Sequence, residues 1–127
     1  MFSIILASKS KVRKEILEKN GINCVVEPSN VDESPIKENL EKKGEKSELI
    51  SKNLAEAKAC KVSKKKSEKI VLGADSIIDL NGKIISKPSN REEALKILKN
   101  LNGKTHHLIS SVCVAKNGSM IWNYTDK

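Results

Sequence analysis

The stretch "IILASKSKVRKEIL", residues 4–17, decides the fold. It starts as a short apolar run, breaks into two serines among basic residues, and continues with Val12, Ile16 and Leu17 at helical spacing until Gly21 offers a left-handed stop. A continuous apolar run of this length reads as a buried strand, here Phe2 to Ala7, so the chain opens with a strand, a loop and a helix. "CVVEPS", residues 24–29, is a second short strand closed by Pro28. The polar segment after it, "NVDESPIKENLEKKGEK", has no clear period and is expected to be a loop or a frayed helix. A longer helix is predicted from Ser47 to about Ser63, with Ile50, Leu54, Ala57 and Val62 as its apolar stripe and Lys52 and Lys58 elsewhere on its surface.

"KIVLGAD" reads as a central strand that ends at Asp75. Ser76 to Ser86 then forms a hairpin, because Asn81-Gly82 supplies the positive backbone angles of a two-residue turn. Ser89 and Glu92 stand in capping-box spacing before a helix that carries Ala94, Leu95, Leu98 and Leu101 on one face and stops at Gly103. A second hairpin joins "HLISSVCVA" to "SMIWNYT" through Asn117-Gly118. Strand and helix alternate, so the expected class is α/β, with a mixed twisted sheet flanked by helices.

Composition narrows the function. The chain has 127 residues, 38% of them hydrophobic, which suits one compact domain over residues 1–127. No apolar run approaches the roughly 18 residues of a membrane span, and no signal peptide opens the chain, so no membrane role and a cytoplasmic location are expected. The cysteines, Cys24, Cys60 and Cys113, are widely separated and form no Cys-x-x-Cys pair, which points to reduced, mostly buried thiols. A formal charge of +8 invites a nucleic-acid partner. That class is set aside, because only Arg13 and Arg91 among the 24 basic residues are arginines and only Phe2, Trp122 and Tyr124 are aromatic. The lysines of "KKGEK" and "KVSKKKSEK" read instead as solvated faces and loop charges, and a polyanionic small molecule stays open as a partner.

Several residues suit such a ligand. The loop with Ser8 and Ser10 precedes a helix amino terminus, whose unpaired amides and dipole favour phosphate; the plainer alternative is that Ser10 only caps the helix. Asp75, at a strand end, is placed to hold a metal or take a proton from water, or else to cap a turn. Glu33 is either a solvated loop acid or, with Asp75, half of a carboxylate pair of the kind magnesium uses. Lys87, stiffened by Pro88, and Lys58, among alanines, are candidate phosphate contacts or ordinary surface lysines. His106 and His107 point to opposite faces of a strand, so one ion cannot readily use both.

Taken together, "LASKSKVRKEIL", "VDES", "LAEAKA", "LGADS", "LNGKIISKP" and "EEALKILKNLNGKTH" resemble, in order and spacing, the Maf (septum-formation inhibitor-like) family across essentially the whole chain. The resemblance implies an inosine-triphosphatase-like α/β architecture and a nucleoside triphosphate pyrophosphatase. Such an enzyme yields a monophosphate and pyrophosphate with Mg²⁺ or Mn²⁺, as housekeeping removal of non-standard or surplus nucleotides. It places Ser8, Ser10 and Arg13 in a phosphate loop, Lys58 and Lys87 on the triphosphate, Glu33 and Asp75 at the metal, and Asp75 as proton acceptor. Val12 and Ser76 fall where members differ by preferred base, and here they lean different ways. Lys11 and Val12 replace a proline and an arginine of the family pattern. Members usually continue further at the carboxyl end; a reduced cleft wall implies, as the alternative, a weak or inactive nucleotide-binding protein acting through partners in cell division. Uncovered apolar sheet would favour a homodimer.

Overall fold

The structure is a computed structural model, and it describes residues 3–81, 83–85 and 90–127. The opening stretch folds as expected: β1 (Ile4–Leu6) passes through a loop into α1 (Lys11–Lys19), and Gly21 takes a positive φ of 79° after it. Crossing back, β2 (Cys24–Val26) lies parallel to β1. Residues 33–42 are helical: α2 (Glu33–Lys42) begins at Asp32, whose carboxylate accepts from the Ser34 N–H. The cap is the local signal that the missing hydrophobic period obscured. The next helix, α3 (Ser47–Lys65), runs two residues beyond the predicted end.

β3 (Val71–Leu80) forms the middle of the sheet, and it corrects the reading of two separate elements. The apolar strand and the first arm of the hairpin are one ten-residue strand, because β5 (His107–Lys116) pairs with it without interruption from Val71↔Ala115 to Asp79↔His107. Asp75 is therefore mid-strand, not at a strand end. β4 (Lys83–Ile85) pairs antiparallel with the end of β3, with Leu80 opposite Lys83, and Asn81 takes a positive φ of 52°. β6 (Ser119–Asp126) pairs antiparallel with β5 around Asn117 and Gly118, both at positive φ. The sheet order is β2-β1-β3-β5-β6, with β4 also on β3. It is mixed, as expected for the class.

α3 lies across β3, β5 and β6 and covers one sheet face. Its buried side chains are Ile50, Leu54, Ala55, Ala59 and Val62, together with Ser47, Ser51 and Ser63. Serines replace aliphatics on much of the buried face, which is why the helix shows little apolar periodicity. Ala55 and Ala59, rather than Ala57, meet the sheet, and there Gly73 allows contact with the helix backbone: a Cβ on Gly73 would lie 2.5 Å from the Ala55 carbonyl oxygen and 2.7 Å from the Ala59 nitrogen. On α1, Val12 and Ile16 are more than half exposed, so the apolar spacing there does not serve the core. In α4 (Arg91–Leu101) the cap is Asn90, whose side chain accepts from the Glu93 N–H; Ser89, the cap read in the sequence, lies outside the described residues. Leu95 and Leu98 of this helix are at least half exposed, and on β6 the stacked rings of Trp122 and Tyr124 are exposed as well. Among the described residues, no helix is long and apolar enough to cross a membrane.

All three cysteines are free thiols. Cys113 is fully buried beneath α3, and desolvation, then the Glu56 carboxylate, push its thiol up from 9.0 to about 11. The folded chain thus keeps a proton that the unfolded chain sheds, so the stability this thiol contributes is intact below pH 9.0 and lost as pH rises through about 11. Iodoacetamide at about pH 8 is expected to alkylate partly exposed Cys24 well before Cys113. Equal rates in the native protein, read by peptide mass mapping, would contradict this placement.

Candidate active site

The site forms where parallel pairing stops. β1 pairs with β3 only at Ile5↔Val71 and Leu6↔Leu72, and β4 reaches β3 only from Ile78 onward. Between them the same edge of β3 carries no strand partner, and the chain leaving β1 crosses that gap. Ala7 N–H still donates to the Leu72 carbonyl; two residues on, the Ala74 carbonyl points to the same edge and is met by side chains instead. Arg13 Nη1 donates to it at 3.3 Å and Lys58 Nζ at 3.4 Å. Open α/β sheets characteristically place ligands in this crevice beyond the carboxyl ends of parallel strands.

The loop from β1 to α1 is wired internally. Ser8 is buried, and its Oγ accepts from the Ser10 N–H at 3.0 Å and from Arg13 Nη1 at 3.3 Å. Ser10 is the N-cap of α1, with its Oγ accepting from the Arg13 N–H at 3.2 Å. Capping and a role at the cleft are compatible, because Ser8, Ser10 and Arg13 all line a cleft of about 710 Å³. Glu33, Lys58, Val12 and Ser76 line it too. Ser76 Oγ lies 3.1 Å from Ser110 Oγ across the β3–β5 pair.

Lys58, read in the sequence as lying off the apolar stripe of its helix and among alanines, lines the cleft. Its side chain is only 13% exposed, because α3 presents it to the open edge of β3, and it joins two acids. Nζ lies 2.6 Å from Glu33 Oε1 and 3.2 Å from Asp75 Oδ1. Asp75 sits one layer deeper, behind Lys58 and off the cleft wall, with its side chain 7% exposed. Its second oxygen, Oδ2, is buried without a hydrogen-bond partner. Glu33 comes from the first turn of α2, the segment whose helix the sequence left open.

Of the residues singled out in the sequence, the structure brings Ser8, Ser10, Val12, Arg13, Glu33, Lys58, Asp75 and Ser76 to one place. Lys87 lies outside the described residues. His106 and His107 are exposed and away from the cleft. Sequence reasoning missed Ser29, Asn30 and Val31, which line the cleft from the loop after β2. Their signal was positional, since they follow the carboxyl end of a parallel strand, and Asn30 adopts a positive φ of 53° there. It also missed the Ala74 carbonyl, a backbone group with no sequence signature.

The donor set suits a divalent cation of the oxygen-seeking kind. Two carboxylates converge on a single ammonium, and one buried carboxylate oxygen has no partner. Among the described residues no group of three or more His, Cys, Asp and Glu could hold a metal. Magnesium needs no such cage, since it binds through one or two carboxylates with water and substrate phosphate completing its shell. The residues fit that ion.

On structural grounds the chain shares the α/β fold of a solved protein. A HAM1 protein from Coxiella burnetii superposes with a TM-score of 0.56 over 98% of this chain and 71% of that one, at 14% sequence identity. The family itself is shown by sequence: a Maf-family model, described as Maf-like protein, matches residues 3–127, and the chain belongs to that family. It is 69% identical over 124 residues to a nucleoside triphosphate pyrophosphatase of Pelagibacter ubique, covering 98% of this chain and 64% of that protein. It is 41% identical over 121 residues to a dTTP/UTP pyrophosphatase of Pyrococcus furiosus, covering 95% and 60% respectively. A 7-methyl-GTP pyrophosphatase of Bartonella quintana matches at 41% over 120 residues, 94% of this chain and 60% of that protein. The chain therefore spans less than two thirds of the length of these curated relatives.

Proposed function

We propose that this protein hydrolyses a nucleoside triphosphate between its α and β phosphates, releasing the monophosphate and pyrophosphate. The observation that carries the reading is the meeting of Ser8, Arg13, Glu33, Lys58 and Asp75 at one open strand edge. The names of the relatives, all pyrophosphatases, support it. In this reading Ser8, Ser10 and the amino end of α1 hold phosphate oxygens, with Arg13 fixed over them by its bond to Ala74. Lys58, with Lys87, offsets the negative charge that builds on the leaving pyrophosphate. Asp75 takes the proton of the attacking water, a task suited to a carboxylate held away from bulk solvent.

Glu33 and Asp75 are the residues that would hold Mg²⁺ or Mn²⁺, which supplies charge neutralisation on the phosphate oxygens. Val12 and Ser76, on the cleft wall, are proposed to face the base. One reported relative is named for dTTP and UTP and another for 7-methyl-GTP, and the proposed role is removal of surplus or non-standard nucleotides. Incubation with a panel of nucleoside triphosphates and Mg²⁺ or Mn²⁺ should give monophosphate and pyrophosphate in equal amounts. Orthophosphate as the primary product would refute the proposal. Binding seen by calorimetry with no product would favour a nucleotide-binding protein instead.

A further inference from the structure

Lys58 occupies the place between the two carboxylates. Its ammonium has three acceptors, Glu33 Oε1, Asp75 Oδ1 and the Ala74 carbonyl, and it separates the deeper Asp75 from the cleft. Two cations cannot share that position at low cost, because like charges a few ångströms apart in a partly buried site repel strongly. Lys58 can leave it: its stem is flexible, it already lines the cleft, and Arg13 remains on the Ala74 carbonyl when it goes.

We infer that Lys58 and a divalent cation compete for the Glu33–Asp75 pair, and that cation binding releases Lys58 toward the triphosphate. The inference rests on the proposed function and adds a linkage to it. A cation entering the pair meets Glu33, partly exposed at the cleft, and the partnerless Oδ2 of Asp75. The displaced ammonium has lost both carboxylates, so it needs a new anion, and the triphosphate supplies one. Cation and triphosphate then each favour the other's binding through one side chain, and by thermodynamic reciprocity the effect is equal in both directions. The same exchange uncovers Asp75, so the proton acceptor becomes accessible only as the site fills.

The test reads binding rather than turnover. Mn²⁺ affinity is measured by electron paramagnetic resonance for the full chain and for Lys58→Met, without nucleotide. The variant is expected to bind Mn²⁺ about tenfold more tightly, an ordinary size for coupled sites. In wild-type protein labelled with ¹⁵N-lysine, the Lys58 ammonium should lose its protection from exchange with water as Mg²⁺ is added; this keeps the test available if Lys58→Met does not fold. Equal or weaker Mn²⁺ binding by a folded variant, or an ammonium that stays protected at saturating Mg²⁺, would overturn the exchange and leave the proposed hydrolysis standing. If Mn²⁺ binds neither protein, the cation leaves this pair altogether, and both the exchange and the cation's part in the proposed function fail.

Discussion

Asp75→Asn is expected to lower turnover by about 10² to 10⁴, the range for loss of a positioned general base, with little change in fold. Asparagine matches the carboxylate in size and keeps an oxygen for the Lys58 ammonium, but it cannot accept the proton of the attacking water. The contrast with Glu33→Gln separates the roles. Glu33 is partly exposed and belongs to a different element, so its loss should weaken cation binding, whereas loss of Asp75 strikes the chemical step as well. Single-turnover measurement at saturating nucleotide and Mn²⁺ distinguishes the two. An Asp75→Asn protein with the wild-type rate would remove this carboxylate from the reaction.

The second large effect is structural. Gly73→Ala places a methyl group against the Ala55 carbonyl oxygen and the Ala59 backbone, neither of which can move as the end of a side chain can. Either α3 lifts from the sheet or β3 shifts. Overpacking of this kind costs typically 1–3 kcal/mol, and the contact with helix backbone puts this case near the top, at about 3 kcal/mol. Because α3 carries Lys58 one residue before Ala59 and β3 carries Asp75 two residues after Gly73, the same substitution should misplace the ion pair and reduce activity in the molecules that still fold. Urea denaturation reads the first effect. A variant with unchanged stability would show that the helix–sheet contact is looser than described.

The elements most legible in the sequence were those set by local chemistry. The unit from β1 to α1 followed from an apolar run and a capping serine, and the hairpin of β5 and β6 followed from Asn117-Gly118, both at positive angles that few other dipeptides accept. What was hidden depended on partners distant in the chain. The ten-residue length of β3 is imposed by β5, and no residue near Asp75 reports it. α2 rests on α3 rather than on the sheet, so its inner face needs only Ile36 and Leu40, too short a pattern to read as a period, and its Asp32 cap was the other local signal. In α3, buried serines such as Ser51, which reaches the Asp75 carbonyl, and Ser47, which donates to Asp79 at 2.5 Å, blur the pattern that would otherwise mark its inner face.

The site divides in the same way. Ser8, Ser10 and Arg13 announce themselves through the loop before a helix, a local signal. Lys58 carries no local signal for its direction, because an ammonium's direction depends on the acids opposite it, and those come from α2 and β3. The folded chain adds their joint geometry, with Asp75 beneath Lys58.

The most direct measurement is a crystal structure of the chain with Mn²⁺ and a non-hydrolysable α,β-methylene nucleoside triphosphate. Phosphate oxygens are expected within hydrogen-bond reach of Ser8, Arg13 and Lys58, and the cation on Glu33 and Asp75. A triphosphate seated elsewhere, for instance in the hollow between α2 and α3 near Cys60, with no phosphate oxygen on Ser8 or Arg13, would contradict it.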